Sequence, residues 1–156
     1  MMAIEQGDAL PDLELAGADG AVLRLCDKVG APFVLYFYPK DDTTGCTREA
    51  QDFSALLPDF RAAGVELLGV SPDTPAKHAK FAAKYDLTVP LASDEAHLVM
   101  EAFGVWVEKS MYGRTYMGVE RATFLFAADG TLAQAWRKVR VAGHAEQVLA
   151  AARALG

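Results

Sequence analysis

The chain has 156 residues, 52% of them hydrophobic, and a formal charge of −6, enough for one compact domain spanning 1–156 with a full-sized core. Its acidic balance argues against a phosphate-binding surface for nucleic acid, and no apolar run approaches the roughly 18 residues needed to span a bilayer. Only two cysteines occur, Cys26 and Cys46, so a disulfide framework is not expected to hold the fold.

The N-terminal run MMAIEQGDALPDLEL has neither a basic start nor an apolar signal core, which points to the cytoplasm. Leu13 to Leu15 and Val22 to Leu25 flank a Gly17–Gly20 turn and read as a hairpin. Phe33 to Tyr38 is continuously apolar, as in a strand buried on both faces. Thr44 to Ala63 reads as a helix with Phe53, Leu56, Leu57 and Phe60 at helical spacing, kinked at Pro58 and stopped by Gly64. Val65 to Ser71 is the next strand.

Thr74, followed by Pro75, opens a helix to Tyr85. Val89 to Leu91 is a short extended piece, and Ser93 is expected to cap a helix through Phe103. Met111, Tyr112, Tyr116 and Met117 fall in a Gly-punctuated loop. Arg121 to Ala127 and Leu132 to Lys138 form a hairpin around Asp129-Gly130, and His144 to Leu155 is a closing amphipathic helix. The alternation implies an α/β domain with a mixed central sheet flanked by helices.

The chemistry concentrates after the strand ending at Tyr38, in YPKDDTTGCTREA. Cys46 lies where a helix begins, among unpaired N–H groups and partial positive charge, and a thiol so placed ionises more readily. Pro39 removes a donor and shields the turn. Thr43 is a natural N-cap whose hydroxyl can bond to sulfur or to a bound oxygen. Gly45 permits close backbone approach, and the Cys46 N–H faces the same small space. Glu49 lies one helical turn further on. Acidifying the thiol cannot by itself make a fast nucleophile. Lowering a thiol pKa by about two units raises the thiolate fraction roughly twenty-fold, but a Brønsted slope near 0.4–0.5 takes back roughly six- to ten-fold. His78, His97 and His144 are scattered, show no metal-ligand spacing, and are expected to be solvated helix residues. Neither a metal nor a cofactor is expected.

The segment Tyr36 to Phe53 resembles the peroxiredoxins, specifically the bacterioferritin comigratory protein (PrxQ) subfamily. Leu67 to Asp73, Leu91 to Glu95, Phe103 to Phe126 and the Asp129-Gly130 turn extend the likeness over nearly the whole chain. The resemblance implies a thioredoxin-like fold and reduction of hydrogen peroxide and organic hydroperoxides by Cys46. It makes Thr43 and Arg121 partners of Cys46 and Pro39 the active-site proline. Glu49, one helical turn after Cys46, is then either a brace for the Arg121 guanidinium or a plain solvated helix residue. Thioredoxin, glutaredoxin or glutathione would then serve as reductant. A monomer is the state expected by analogy.

Two departures stand out. Thr44 replaces the subfamily's proline, and Gln51 occupies the position where many members carry a resolving cysteine. The helix Thr74 to Tyr85 has no cysteine either, so a one-cysteine cycle with an external thiol is expected, with Cys26 the one alternative resolver in the chain. A thiol–disulfide oxidoreductase would need a Cys-x-x-Cys pair that is absent. A redox sensor or chaperone-like binder using Cys46 as a switch is the rival reading.

Overall fold

The computed structural model describes residues 4–155. Strands β1 (Glu14–Gly17) and β2 (Val22–Arg24) form the expected N-terminal hairpin, and a short 3₁₀ turn, Leu25–Lys28, leads away from it. β3 (Phe33–Phe37), helix α1 (Thr44–Ala62), β4 (Glu66–Ser71) and helix α2 (Pro75–Tyr85) follow. Then come β5 (Leu91–Ser93), helix α3 (Leu98–Ala102), β6 (Trp106–Met111) and β7 (Arg114–Val119). β8 (Ala122–Phe126), β9 (Leu132–Trp136) and helix α4 (His144–Leu155) complete the chain.

Seven strands make one mixed sheet in the order β2-β1-β5-β4-β3-β8-β9, with β6 and β7 a separate pair. β3 is central, parallel to β4 and antiparallel to β8, which explains why it is apolar at every position. Because side chains alternate across a strand, Val34, Tyr36 and Tyr38 pack on one face with Phe53, Leu57 and Phe60 of α1, Phe81 of α2 and Val148 of α4. Phe33, Leu35 and Phe37 pack on the other with Val99 and Met100 of α3, Phe103 and Phe124. Helices thus cover both faces, as the alternating pattern implies.

Local signals account for most boundaries. Thr74 accepts from the Lys77 N–H at 3.2 Å ahead of Pro75, the expected cap. Gly64, at φ +75°, closes α1 while the Val65 N–H reaches back to the Phe60 carbonyl at 2.9 Å, a left-handed stop that glycine takes without strain. α1 runs on through Pro58. Proline has no N–H for the carbonyl four residues earlier, and the Thr88 hydroxyl donates to that Ser54 carbonyl instead, at 3.3 Å.

Four expectations need correction. Ser93 ends β5 rather than capping a helix. The following helix begins only at Leu98, where the Asp94 carboxylate accepts from the Met100 N–H at 2.8 Å. Met111, Tyr112, Tyr116 and Met117 belong to the β6–β7 hairpin rather than to a loop, with Tyr112 and Gly113 both at positive φ in its turn. His78 and His144 are buried rather than solvated, because Asp41 and Thr123 supply polar partners. His97 stacks on Trp106 at 3.7 Å between ring centres. Arg121 lies just ahead of β8 instead of inside it.

The ring of Tyr36 lies across the β4 backbone at Gly69, where a Cβ would come within 2.5 Å of Tyr36 Cζ. Tyr36 in turn stacks on Phe53 of α1 at 4.5 Å. Gly69→Ala is therefore expected to destabilise the fold by roughly 1–3 kcal/mol through overpacking. Urea denaturation measures this, and an unchanged midpoint would contradict the packing role of Gly69.

Candidate active site

α1 starts at Thr44, so Cys46 is the third helical residue and Glu49 follows one turn later on the same side. β8 brings the cation. Phe37 is paired with Ala122, which puts the preceding residue, Arg121, beside the end of β3 from which α1 departs. Arg121 Nη2 lies 3.2 Å from Cys46 Sγ and Nη1 lies 2.6 Å from Glu49 Oε1. Gly45 makes this approach feasible, since a Cβ there would sit 3.3 Å from Arg121 Nη2.

Cys46 is 2% exposed and Glu49 1%, so the pairings form with little water to screen them. Burial drives the Glu49 carboxyl up to about 7 against the opposing pull of Arg121, and its Oε2 has no hydrogen-bond partner among the described residues. For Arg121, burial works against the charge, but Glu49 and Cys46 outweigh it and the net displacement is upward. The burial of Glu49 decides the direction for this pair: its carboxyl is held far above the ordinary carboxylate range. His144 is driven down to about 4, by burial first and by the Arg121 charge second, so it packs as a neutral ring with Nε2 2.7 Å from Thr123 Oγ1. Burial also raises the Tyr36 phenol well above its ordinary value, with Glu49 and Cys46 adding to the effect.

Thr43 occupies the N-cap position in extended conformation, but its side chain makes no capping bond. Its hydroxyl donates instead to the Lys40 carbonyl at 2.9 Å, which leaves the oxygen free to accept. With no side chain on the helix end, the first N–H groups of α1, including that of Cys46, remain available. Pro39 is half-buried at the turn out of β3.

Cys26 is remote from this cluster. Its neighbour Leu25 packs in the core on the opposite sheet face from Cys46, and both cysteines are free. The Cys26 thiol donates to Asp12 Oδ1 at 3.1 Å, and that bond raises its pKa above the ordinary value, the wrong direction for a nucleophile.

The sequence reading names Cys46, Thr43, Arg121, Pro39, Glu49 and Gly45, and the fold collects them at the junction of β3, α1 and β8. It misses Asp41, His78, Asp73 and Tyr38. Tyr38 donates to Asp41 Oδ1 at 2.5 Å, His78 Nδ1 lies 2.7 Å from Asp41 Oδ2, and the Asp41 N–H donates to Asp73 Oδ2 at 2.7 Å. The paired acids Asp41-Asp42 beside a buried strand are the one signal for this network in the sequence. No group of residues suited to hold a metal ion occurs among the described residues.

The chain is similar to known proteins along most of its length. The AhpC/TSA family model matches residues 6–135. The chain is 50% identical to Peroxiredoxin Bcp of Xanthomonas campestris over 92% of this chain and 89% of that protein. It is 47% identical to Peroxiredoxin Bcp of Bacillus subtilis over 95% and 94%. A solved structure of the Xanthomonas campestris bacterioferritin comigratory protein, described for its alkyl peroxide reduction activity, superposes with a TM-score of 0.89 at 48% identity, covering 94% of this chain and 98% of that one. This chain belongs to the AhpC/TSA family and is a peroxiredoxin of the bacterioferritin comigratory protein kind.

Proposed function

We propose that the protein is a one-cysteine thiol peroxidase in which Cys46 is the nucleophile and an external thiol completes the cycle. The observation that carries this reading is the 3.2 Å contact between Arg121 Nη2 and Cys46 Sγ, in a chain whose α1 and α2 contain no second cysteine. The Cys46 thiolate attacks the nearer oxygen of a hydroperoxide. The S–O bond forms as the O–O bond breaks, and the departing oxygen leaves as water or alcohol after protonation.

Charge builds on that departing oxygen, so donors fixed in advance matter more than thiol acidity. Arg121 and the Cys46 N–H are such donors. Thr43, its own proton committed to the Lys40 carbonyl, accepts from the peroxide O–H and fixes which oxygen faces sulfur. Glu49 braces the guanidinium through a charge-assisted bond, Gly45 clears its path, and Pro39 limits water at the turn. Resolution consumes two thiols: the first displaces water from the sulfenic acid to give a mixed disulfide, and the second releases Cys46. A small thiol such as glutathione, or the proteins thioredoxin or glutaredoxin, would serve, in the cytoplasm where such thiols are held reduced. No helix among the described residues is long and apolar enough to cross a membrane.

Three outcomes are expected. Arg121→Ala should lower the second-order rate of peroxide reduction roughly 10²–10³-fold beyond any change in thiolate fraction, measured by stopped-flow oxidation; a rate that merely tracks thiolate fraction would refute the oxygen-binding role. Cys26→Ser should keep full turnover in a coupled thiol assay while Cys46→Ser abolishes it. A Cys26–Cys46 linkage found by mass spectrometry after peroxide treatment would end the one-cysteine reading.

The third outcome concerns pH. The folded value for Glu49, about 7, lies above its ordinary 4.5, so its contribution favours the fold below about pH 4.5 and is lost as pH rises through 7. His144 runs the other way, from 6.5 down to about 4: its contribution is present above pH 6.5 and lost as pH falls through 4. The two slopes oppose each other across the shared window. Glu49→Gln removes one of them and should raise stability at pH 8 relative to pH 5, compared with the parent, by about 2 kcal/mol. Urea unfolding at both pH values checks this, and an unaltered difference would contradict the assignment.

A further inference from the structure

The β6–β7 hairpin is a two-stranded ribbon outside the main sheet. Its base is anchored, with Val119 in the core and Trp106 packed against it, but residues 110–117 are all exposed. A lone pair of strands is marginal in water, so a ribbon bare along its outer half gains little from the fold it leaves. Six residues per strand give it a length of about 20 Å, more than twice the screening length of about 8 Å at physiological salt. The tip therefore feels its own charges more than the chain's formal −6.

Those charges share one face with apolar side chains. Residues directly opposite each other in an antiparallel pair project to the same side. The register pairs Val107 with Gly118, Lys109 with Tyr116 and Met111 with Arg114, and this face contains no acid. The other face carries Trp106, Val119 and Glu108. Gly118 lets the Lys109 chain and the Tyr116 ring converge, since a Cβ there would lie 3.1 Å from Lys109 Cδ and 3.4 Å from Tyr116 Cε2. Further out, Met111, Tyr112, Arg114 and Tyr116 line a shallow concavity of about 500 Å³. Met111 is 55% exposed, Tyr112 97% and Tyr116 45%. Neither Lys109 nor Arg114 has an acidic partner among the described residues.

An exposed apolar patch marks a contact surface, and cations set among tyrosine and methionine fit one that is anionic outside and apolar beneath. A second copy meeting this face with its own would set cation against cation. A protein partner would need roughly 20–30 residues on each side for a standard interface, more than the tip offers, whereas a bilayer needs no matching surface. We propose that this face of the β6–β7 ribbon docks on anionic membrane surfaces, with Lys109 and Arg114 at the lipid headgroups and Met111, Tyr112 and Tyr116 entering the interface beneath them. The surface is independent of how Cys46 is resolved.

The test uses the full chain and vesicles of equal parts phosphatidylserine and phosphatidylcholine, with phosphatidylcholine alone as the neutral arm. Binding is read by co-sedimentation and oligomeric state by analytical ultracentrifugation. The parent should bind the anionic vesicles at least about ten-fold more tightly than the neutral ones, and lose most of that binding at about 1 M salt. Lys109→Gln with Arg114→Gln should weaken it roughly twenty- to thirty-fold, at about five-fold per cation. Met111→Ser with Tyr112→Asn, the asparagine keeping the left-handed turn, should weaken it about ten-fold or more. Both double variants should reduce hydrogen peroxide in free solution as the parent does, which shows that fold and Cys46 site persist. Tyr112→Trp should emit at shorter wavelength once anionic vesicles are added. The proposal is overturned if the parent ignores anionic vesicles, if it binds neutral ones equally well, if the double variants keep full binding, or if the ribbon instead holds a dimer that these variants dissolve.

Discussion

The site depends on one guanidinium held in place by a buried carboxylate. Glu49 and Cys46 face the same way from one turn of α1, and Arg121 reaches both from just ahead of β8. A buried acid of this kind adds little to stability, since desolvation offsets much of its attraction to a partner, and here one of its oxygens has no partner at all. What the pair supplies is position. An arginine free to rotate would have to be ordered during the reaction, whereas one fixed by a 2.6 Å charge-assisted bond is ordered beforehand. On the proposed mechanism, the fold carries the cost of an ill-solvated carboxylate so that the reacting centre need not reorganise.

That arrangement explains features that look incidental by themselves. Gly45 lies where a side chain would crowd Arg121. His144 stays neutral beside the same cation, so α4 packs against this region without adding a second positive charge to it. The antiparallel register of β3 with β8 brings Arg121 to Cys46 across 75 residues of sequence, and a one-residue slip would turn every side chain of β8 to the other face. Sheet register and chemistry are therefore tied together.

How much of this is legible in the sequence depends on whether the signal is local. The start of α1, the Thr74–Pro75 cap, the Gly64 stop and the central apolar strand follow from residues within a few positions of one another. Arg121 is different. A charge ahead of a strand is unremarkable until the sheet pairs it with α1, so only resemblance identifies it. His78 and His144 read as polar helix residues because the groups that satisfy them, Asp41 and Thr123, are distant in sequence. The β6–β7 hairpin escapes notice for another reason. Its turn places Tyr112 and Gly113 at φ +52° and +77°, and tyrosine is not a residue that advertises a left-handed turn. Much of the ribbon is exposed, with Tyr112 at 97%, so it also lacks clean apolar alternation.

The N-terminus of α1 is consequently held from two sides by contacts with different chemistry. From just ahead of β8 the contact is cation to sulfur and carboxylate, and it touches the sulfur proposed to react. From α2 it is a network around Asp41 that acts on the backbone entering the helix. A peroxidase whose second thiol is built into α1 or α2 must bring two parts of its own chain together after each oxidation. On the proposed one-cysteine cycle, a chain without that thiol has only to let a foreign sulfur in. The Asp12 carboxylate fits this division, because the thiol it restrains, Cys26, lies next to the core on the opposite face of the sheet.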